Sequence, residues 1–370
     1  MVMLGRPLLA DPEWPNKVFA GKNKEIIPCI GDQEGCLHSI LSGGHIQCTV
    51  NPRTSFEDIF ETLPQAKPVK SIAVAGAGPA GVMCACTAAE RGHNVTVFES
   101  KSQAGGMLIP GSVPAIKFEA ANYVSYMRNR LSLCAKKYRL RLRQGKAVTA
   151  AQLKKGKFDC IVIATGGRVS MPDIPGIKSS HVHIAIDVLN NRSICKNKRN
   201  AVIIGGGSVG CETAHFLACE LGIENVTVVE MQPVFMKGLC TANRGYLIHY
   251  LDDKGVQLMN CATVKEIKPG SVLISRNVHK TVPDPKITWA PLLPENIPNP
   301  FEKKIVQKHK ECEIEADIVI VAMGLGPDRG LYEECLKCNA APEIYLTGDV
   351  NKIGSILEAT RGGYAIGRRI

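Results

Sequence analysis

The chain advances in short apolar runs that stop abruptly at glycine. Residues 71–75 (SIAVA), 94–98 (NVTVF), 201–204 (AVII) and 226–229 (VTVV) are brief stretches rich in β-branched and small side chains. Residues 158–166 (FDCIVIATG), 316–324 (ADIVIVAMG) and 344–349 (IYLTGD) repeat the theme and run into Thr-Gly, Met-Gly or Gly-Asp. Apolar continuity, rather than alternation with polar residues, predicts strands covered on both faces, as in parallel sheets. The Ala-rich stretch 80–91, the stretch 211–222 and the residues after Ser355 predict helices. The expected class is α/β.

The junction after residues 71–75 carries chemistry. It reads Gly76-Ala77-Gly78-Pro79-Ala80-Gly81, then a helix, then a second strand closing on Glu99. Strand, glycine loop, helix, strand and acid together form the dinucleotide fingerprint in full context. Gly76 permits the tight turn, Gly78 lets backbone approach a pyrophosphate, and Gly81 lets the helix lie close on the strand. The helix N-terminus, around Ala80, offers N–H groups to phosphate. Glu99, 21 residues after Gly78, is placed for a ribose hydroxyl.

The unit then recurs 129 residues on, counted from Gly76 to Gly205. Gly205-Gly206-Gly207-Ser208-Val209-Gly210 is the loop, and Glu230 closes the second strand. Two complete units predict two nucleotides. Thr347-Gly348-Asp349 matches the way a strand-end Asp at a helix start holds a flavin's ribityl and pyrophosphate groups. The first nucleotide domain is therefore expected to be discontinuous, with the second inserted in it.

Composition narrows the class. The 370 residues suffice for two or three domains, and 45% are hydrophobic. Mean hydropathy is +0.01, and no run approaches a membrane span. The N-terminal MVMLGRPLLADPEW lacks the features of a secretory signal, so a cytoplasmic location is expected. Fifteen scattered cysteines, an odd number, read as reduced thiols rather than a disulfide framework. The sequons at Asn94 and Asn225 start predicted buried strands, so glycosylation is not expected. The net charge of +11 is dispersed apart from residues 136–143 (KKYRLRLR), which read as a solvated face rather than a nucleic-acid patch.

The N-terminal segment differs in character. Residues 1–6 predict the end of an apolar strand running into Gly5-Arg6, 8–21 a loop and short helix, 56–63 a short helix, and 64–68 (PQAKP) a linker. Cys29, Cys36 and Cys48 fall in Gly-rich, loop-like sequence. The order GAGPAG, Glu99, ATG, GGGSVG, Glu230, Met-Gly and TGD, preceded by GRPLLADPEWPNK and by Cys29-Ile-Gly-Asp-Gln-Glu-Gly-Cys36 and Cys48-Thr-Val-Asn51-Pro52, resembles the old-yellow-enzyme-related iron–sulfur flavoproteins. That family includes 2,4-dienoyl-CoA reductase, 2-enoate reductase, trimethylamine dehydrogenase and the bile-acid-inducible oxidoreductases. The resemblance covers essentially all of the chain and corresponds to the C-terminal half of the family's chain.

The resemblance implies electron flow from nicotinamide to FAD, through a [4Fe–4S] cluster, to FMN in a (β/α)8 barrel that reduces an activated C=C bond. Almost the whole barrel is absent here, and FMN is expected only with a complete barrel. Arg6 would stand at the end of the barrel's last strand, where the family's Arg helps hold FMN phosphate. The family's cluster spacing is C-x2-C-x3-C-x11-C; this chain places Cys29, Asp32, Cys36 and Cys48 there. Asp32 then supplies oxygen to one iron, leaves a three-iron cluster, or marks a degenerate site.

Other signals compete. Residues 206–210 also fit the G-x-S-x-G hydrolase elbow, but Gly205 and Glu230 favour a dinucleotide loop. Cys84 and Cys86 lie two apart on a predicted helix and point apart. Cys335 and Cys338 have thiol-oxidoreductase spacing but no second pair nearby. No histidines show ligand spacing.

The expected architecture is two Rossmann-like domains preceded by a barrel remnant: residues 1–65 as remnant and iron–sulfur segment, 66–175 plus 311–370 binding FAD, and 176–310 binding NAD(P)H. FAD would be held by Gly76, Gly78, Ala80, Gly81, Glu99, Gly106, Thr165, Gly166, Gly348 and Asp349. Nicotinamide nucleotide would be held by Gly205, Gly207, Ser208, Gly210 and Glu230. NADH is expected over NADPH, because Met231 and Gln232 follow Glu230 and no Arg appears before Arg244. No acid, base or nucleophile is assigned, since hydride transfer needs none. The expected function is a flavin-dependent NAD(P)H oxidoreductase module with an FMN-barrel partner. A stand-alone electron-transfer subunit and an ADP-holding module or fragment are the alternatives. No nucleic-acid or membrane partner is expected, and oligomeric state is left open.

Overall fold

The computed structural model describes residues 3–287 and 304–370. Two units emerge: the described residues of 1–112, 119–168 and 325–370, and those of 113–118 and 169–324. Residues 288–303, inside the stretch expected to bind NAD(P)H, and residues 1–2 of the expected barrel strand lie outside the described residues.

In chain order the first unit begins with two short helices, α1 (Arg6–Ala10) and α2 (Trp14–Phe19). It continues with β1 (Ser71–Ala75), α3 (Pro79–Glu90), β2 (Asn94–Glu99), α4 (Phe118–Lys137), β3 (Leu140–Gln144) and β4 (Cys160–Ile163). The second unit supplies β5 (Val182–Ile184), β6 (Asn200–Ile204), α5 (Ser208–His215), β7 (Asn225–Val229), α6 (Thr241–Asp253) and β8 (Gln257–Met259). It goes on through β9 (Ala262–Lys268), β10 (Ser271–Asn277), β11 (His309–Glu315) and β12 (Ile318–Val321). The chain then returns to the first unit with β13 (Glu343–Leu346) and α7 (Ile356–Arg369).

Each unit has one five-stranded parallel sheet. The orders are β13-β4-β1-β2-β3 and β5-β12-β6-β7-β8. In both, the strand before a glycine loop is central, with the strand that ends on Glu99 or runs into Glu230 on one side and the strand before Thr-Gly or Met-Gly on the other. The central ends are level: Ala75 pairs with Phe98 and Ile163, and Ile204 with Val229 and Val321. Carboxyl ends so aligned form the crevice where open α/β sheets bind ligands.

The uninterrupted apolar runs are explained by cores on both faces. Ile72 and Val74 enter one core with α3, while Ala73 and Ala75 enter another with Ile161 and Ile163. Helix α3 has ten of its twelve residues buried, because its Ala, Cys and Gly side chains leave room for a neighbour. That neighbour is α7. A Cβ added at Gly363 would lie 2.2 Å from the Ala80 carbonyl oxygen, and one at Gly367 would lie 2.7 Å from that of Cys84. Only glycine permits so close a crossing. In the second unit β9, β10 and β11 form an antiparallel sheet whose edge, HKECEIE, is charged enough to discourage further pairing.

Two local expectations fail. Among the described residues no strand precedes Ser71; Arg6 opens helix α1 instead. Pro7 in the first helical turn favours that start, and an isolated strand would have nothing to pair with. Residues 56–63 do not form a helix. The Arg368 guanidinium takes the carbonyls of Ile59 and Thr62, and Arg361 and Arg368 lie over the Phe56 and Phe60 rings. Tertiary partners replace the helical bonds.

Candidate functional site

The glycines of the first loop divide by task. Gly76 has φ +105°, and a Cβ there would meet the Ala164 carbonyl oxygen at 2.2 Å. A Cβ at Gly81 would stand 2.0 Å from the Gly76 carbonyl oxygen. These two fix the turn and seat α3 on the sheet. Gly78 is different: only the Gly106 Cα, at 3.8 Å, would meet a Cβ there, so its backbone faces open space. Gly106, with φ +57°, could not carry a side chain without striking the Gly78 Cα at 2.9 Å. A Cβ at Gly348 would stand 3.0 Å from that of Ala80. Residues far apart in sequence, 78–81, 106 and 348, therefore gather at the N-terminus of α3.

Glu99 is buried at the end of β2. Its Oε2 accepts the Ala77 N–H at 2.8 Å, and its Oε1 accepts the Lys101 N–H at 2.9 Å. The carboxylate braces the glycine loop while keeping lone pairs for a ligand hydroxyl. Thr165 is exposed, and Gly166, with φ +84°, has nothing within 4 Å of a Cβ position.

Beyond β13, the buried Thr347 hydroxyl has no hydrogen-bond partner among the described residues. Beside it Asp349 is half-buried; burial pushes its carboxyl above the ordinary range, while the Gly354 N–H donates to it at 3.2 Å. Buried polar groups are ordinarily satisfied. An orphaned hydroxyl, a desolvated carboxylate and an open glycine face fit a polar, phosphate-bearing ligand such as FAD. The sequence reading included Gly348 and Asp349 but passed over Thr347, whose only signal was its place before Gly-Asp.

The second loop repeats this geometry. Gly205 has φ +109°, with a Cβ position 2.5 Å from the Ala322 carbonyl oxygen; a Cβ at Gly210 would be 1.9 Å from the Gly205 carbonyl oxygen. Gly207 faces open space, as Gly78 does, and Ser208 begins α5. The Glu230 Oε2 accepts the Gly206 N–H at 2.6 Å and its Oε1 the Gln232 N–H at 2.6 Å. Arg244 is only 5% exposed; its Nε donates to the Phe235 carbonyl at 2.8 Å and its other end to the Ile287 carbonyl. That guanidinium is committed to two backbone carbonyls of the fold. The loop fits a dinucleotide, with the Glu230 carboxylate at the end of the second strand bracing the turn.

The N-terminal segment builds a third feature. Cys29, Asp32, Cys36 and Cys48 line one small cavity, with Arg6 at its wall. All three thiols are half-buried and free. Burial pushes the Cys48 thiol up to about 11, and the nearby Cys29 and Asp32 add in the same direction. Cys36 lies in a widened turn, in which the His38 N–H donates to the Gln33 carbonyl at 3.0 Å. Widened turns of this kind recur at functional sites. As placed, no three His, Cys, Asp or Glu side chains among the described residues form a finished metal site. The donor set itself suits an iron–sulfur cluster, since thiolates are its usual ligands.

Supports the sequence did not reveal hold this cavity. Asp11, 2% exposed, accepts the Ile27 N–H at 2.8 Å and pairs with Lys17 at 2.6 Å. Asn51 and Thr54 both donate to the Leu9 carbonyl at 2.9 Å. Thr360 of α7 donates to the Thr49 carbonyl, and Arg361 to the Gln47 side chain.

Among the remaining cysteines, the buried Cys86 and Cys134 thiols hydrogen-bond each other without forming a disulfide. None of the fifteen is in a disulfide; Cys84 and Cys86 are buried in α3, and Cys335 is buried with its thiol pushed up to about 11 by desolvation. Among the described residues no helix is long and apolar enough to cross a membrane.

Comparison with known proteins agrees with this architecture. Residues 70–363 match the family described as pyridine nucleotide-disulphide oxidoreductase. Cinnamate reductase of Clostridium sporogenes is 30% identical over 100% of this chain and 50% of its own length. NADH oxidase of Thermoanaerobacter brockii is 29% identical over 100% of this chain and 52% of its own length. The structure of 2-naphthoyl-CoA reductase with 2-naphthoyl-CoA superposes with TM-score 0.84 at 30% identity, covering 99% of this chain and 50% of that one. The chain spans about half the length of the relatives it matches. It aligns with the nucleotide-binding, C-terminal half of such flavin-dependent, old-yellow-enzyme-related proteins. On this evidence the chain belongs to the pyridine nucleotide-disulphide oxidoreductase family.

Proposed function

We propose that the chain is the nicotinamide-oxidising half of a flavin-dependent oxidoreductase, taking hydride from NADH onto FAD. The observation that carries this reading is the pair of matched loops, each with one glycine open to a ligand and a carboxylate bracing the turn. A reduced nicotinamide supplies hydride, and a flavin accepts it and releases electrons singly.

The residues bind and orient. Gly76, Gly78, Ala80 and Gly81 would cradle the FAD pyrophosphate at the α3 N-terminus, with Glu99 toward the ribose. Gly106, Thr165, Gly166, Thr347, Gly348 and Asp349 would complete that site. Gly205, Gly207, Ser208, Gly210 and Glu230 would hold NADH; Glu230 accepts from an unmodified ribose and repels a 2′-phosphate.

Electrons would leave through an iron–sulfur cluster at Cys29, Cys36 and Cys48, with Asp32 at the fourth position. Their destination would be an FMN barrel that reduces an enoate or enoyl-CoA C=C bond, the chemistry suggested by the names cinnamate reductase and 2-naphthoyl-CoA reductase. That barrel lies in a further part of the protein or on a partner chain, and Arg6 would contribute to its FMN only there. Fifteen free cysteines favour a reducing, cytoplasmic setting.

The test is the visible spectrum of the purified chain before and after anaerobic NADH. A flavin spectrum that bleaches supports the proposal. Colourless protein carrying ADP would replace it with a nucleotide-holding role, and a flavin that NADH leaves oxidised would exclude NADH oxidation.

A further inference from the structure

We propose that Asp32 makes one corner of the metal site exchangeable, so that this chain holds a cluster of three fixed irons and one removable iron. The inference rests on the iron–sulfur reading above and concerns how this chain's own donors would treat the cluster. Three of the four donors lining the cavity are thiols, and the fourth is a carboxylate. All four sit on one short loop system, with Asp32 between Cys29 and Cys36 in sequence and lining the same cavity as Cys48.

The loop cannot readily swing another thiol into place. Gly35 packs so tightly that a Cβ there would lie 3.0 Å from the Gln47 carbonyl, and the Gln47 N–H donates back to the Gly35 carbonyl at 2.6 Å. Behind it Thr360 fixes the Thr49 carbonyl at 2.5 Å. The twelve other cysteines of the chain lie outside the cavity wall. The fourth corner is therefore left to oxygen.

Oxygen and sulfur hold iron differently. Thiolates are soft donors suited to iron–sulfur clusters, whereas a carboxylate is a hard donor suited to weakly held divalent cations. The iron facing Asp32 is then the weakest-bound of the four. One-electron oxidation by dioxygen or ferricyanide converts [4Fe–4S]2+ into [3Fe–4S]+ and frees one Fe2+; the four sulfides stay, and the electron goes to the oxidant. Reduction in the presence of Fe2+ reverses the step. Asp32 provides the anionic oxygen that recaptures the metal, and the vacant corner also admits other divalent cations of similar size, such as Co2+ or Zn2+.

The experiment is anaerobic reconstitution of the chain with ferrous iron and sulfide, followed by a single equivalent of ferricyanide. Iron and sulfide are assayed, and EPR spectra are taken of the oxidised protein. The native chain should lose one iron in four with sulfide unchanged and develop the half-integer-spin signal of the oxidised three-iron form. Dithionite with Fe2+ should restore the lost iron. The variant Asp32→Cys should keep all its iron under the same treatment and stay EPR-silent when oxidised. Asp32→Asn should give the three-iron signal and fail to recover iron. A native cluster that resists ferricyanide as well as Asp32→Cys does would overturn the exchangeable corner and leave the cluster reading standing. Iron and sulfide near zero in both native and Asp32→Cys protein, with flavin still bound, would overturn the cluster and this inference together. Circular dichroism of each variant separates loss of metal from loss of fold.

Discussion

The Thr360 hydroxyl donates to the carbonyl of Thr49 at 2.5 Å, joining residues 311 positions apart in the chain. Thr360 also bonds the Leu357 carbonyl one turn back in α7, and it is fully buried. The residue beside Cys48 is thus fixed by the helix that follows Gly348 and Asp349.

Replacing Thr360 with Val keeps the shape and removes the donor. The Thr49 carbonyl is left buried without it, a loss of about 1–3 kcal/mol. Denaturant unfolding should show that loss, and Thr360→Ser should recover most of it. The thiols of Cys29, Cys36 and Cys48 should also react faster with a thiol reagent in Thr360→Val than in the native chain; unchanged rates would refute the bracing role.

Gly81→Ala and Gly210→Ala separate the two nucleotide sites. Each introduces a Cβ about 2 Å from the carbonyl oxygen of the glycine that opens its loop. Gly81→Ala should release flavin, lowering FAD affinity by at least about tenfold, or ~1.4 kcal/mol. Gly210→Ala should retain the flavin spectrum and lose bleaching by NADH. Flavin content measured beside anaerobic reduction distinguishes the two, and the reverse pattern would invalidate the site assignments.

Glu230 sets the nicotinamide preference. Removing a charged hydrogen-bond partner costs about 1.5–3 kcal/mol, so Glu230→Ala should weaken NADH binding roughly 10- to 100-fold. NADPH, freed from repulsion, should lose far less. Because Arg244 is committed to the Phe235 and Ile287 carbonyls, Arg244→Lys should not change the ratio of the two cofactors. Fluorescence titration with each nucleotide measures both effects.

His93 makes the first unit acid-sensitive. It is fully buried, and its Nδ1 accepts the Lys70 N–H at 3.0 Å. Burial first, then the Arg91 and Lys70 charges, push its pKa down to about 4, while Glu343 opposes them. The unfolded chain binds this proton near pH 6.5, so the histidine contributes no penalty above that value. Stability should fall as the pH drops from about 6.5 through about 4. His93→Gln should flatten that limb of the denaturation midpoint against pH; an equally steep fall would assign the effect elsewhere.

The two strand–loop–helix–strand units were legible because local rules and tertiary demands coincide there. The run at 71–75 must be apolar to sit in a parallel sheet, Gly76 must be glycine to hold φ +105°, and Glu99 must end β2 to reach the Ala77 N–H. The N-terminal segment was read less well because its structure depends on distant partners. Residues 56–63 have helical composition, yet Arg368 takes the carbonyls a helix would use internally. Thr347 carries no sequence signal beyond its place before Gly-Asp, since its distinction is a buried hydroxyl without a partner among the described residues. Gly363 and Gly367 owe their place in α7 to α3, whose backbone a Cβ at either would strike.

The packing of α7 against the cysteine segment also imposes an order in time. Thr360 and Arg361 leave the ribosome more than 300 residues after Thr49, an interval of roughly 15–60 s at ordinary rates of synthesis. Until then the wall behind Cys48 does not exist, and the three thiols wait without their brace. Agents that capture or oxidise nascent thiols therefore have that interval in which to reach Cys29, Cys36 and Cys48 before the brace is in place.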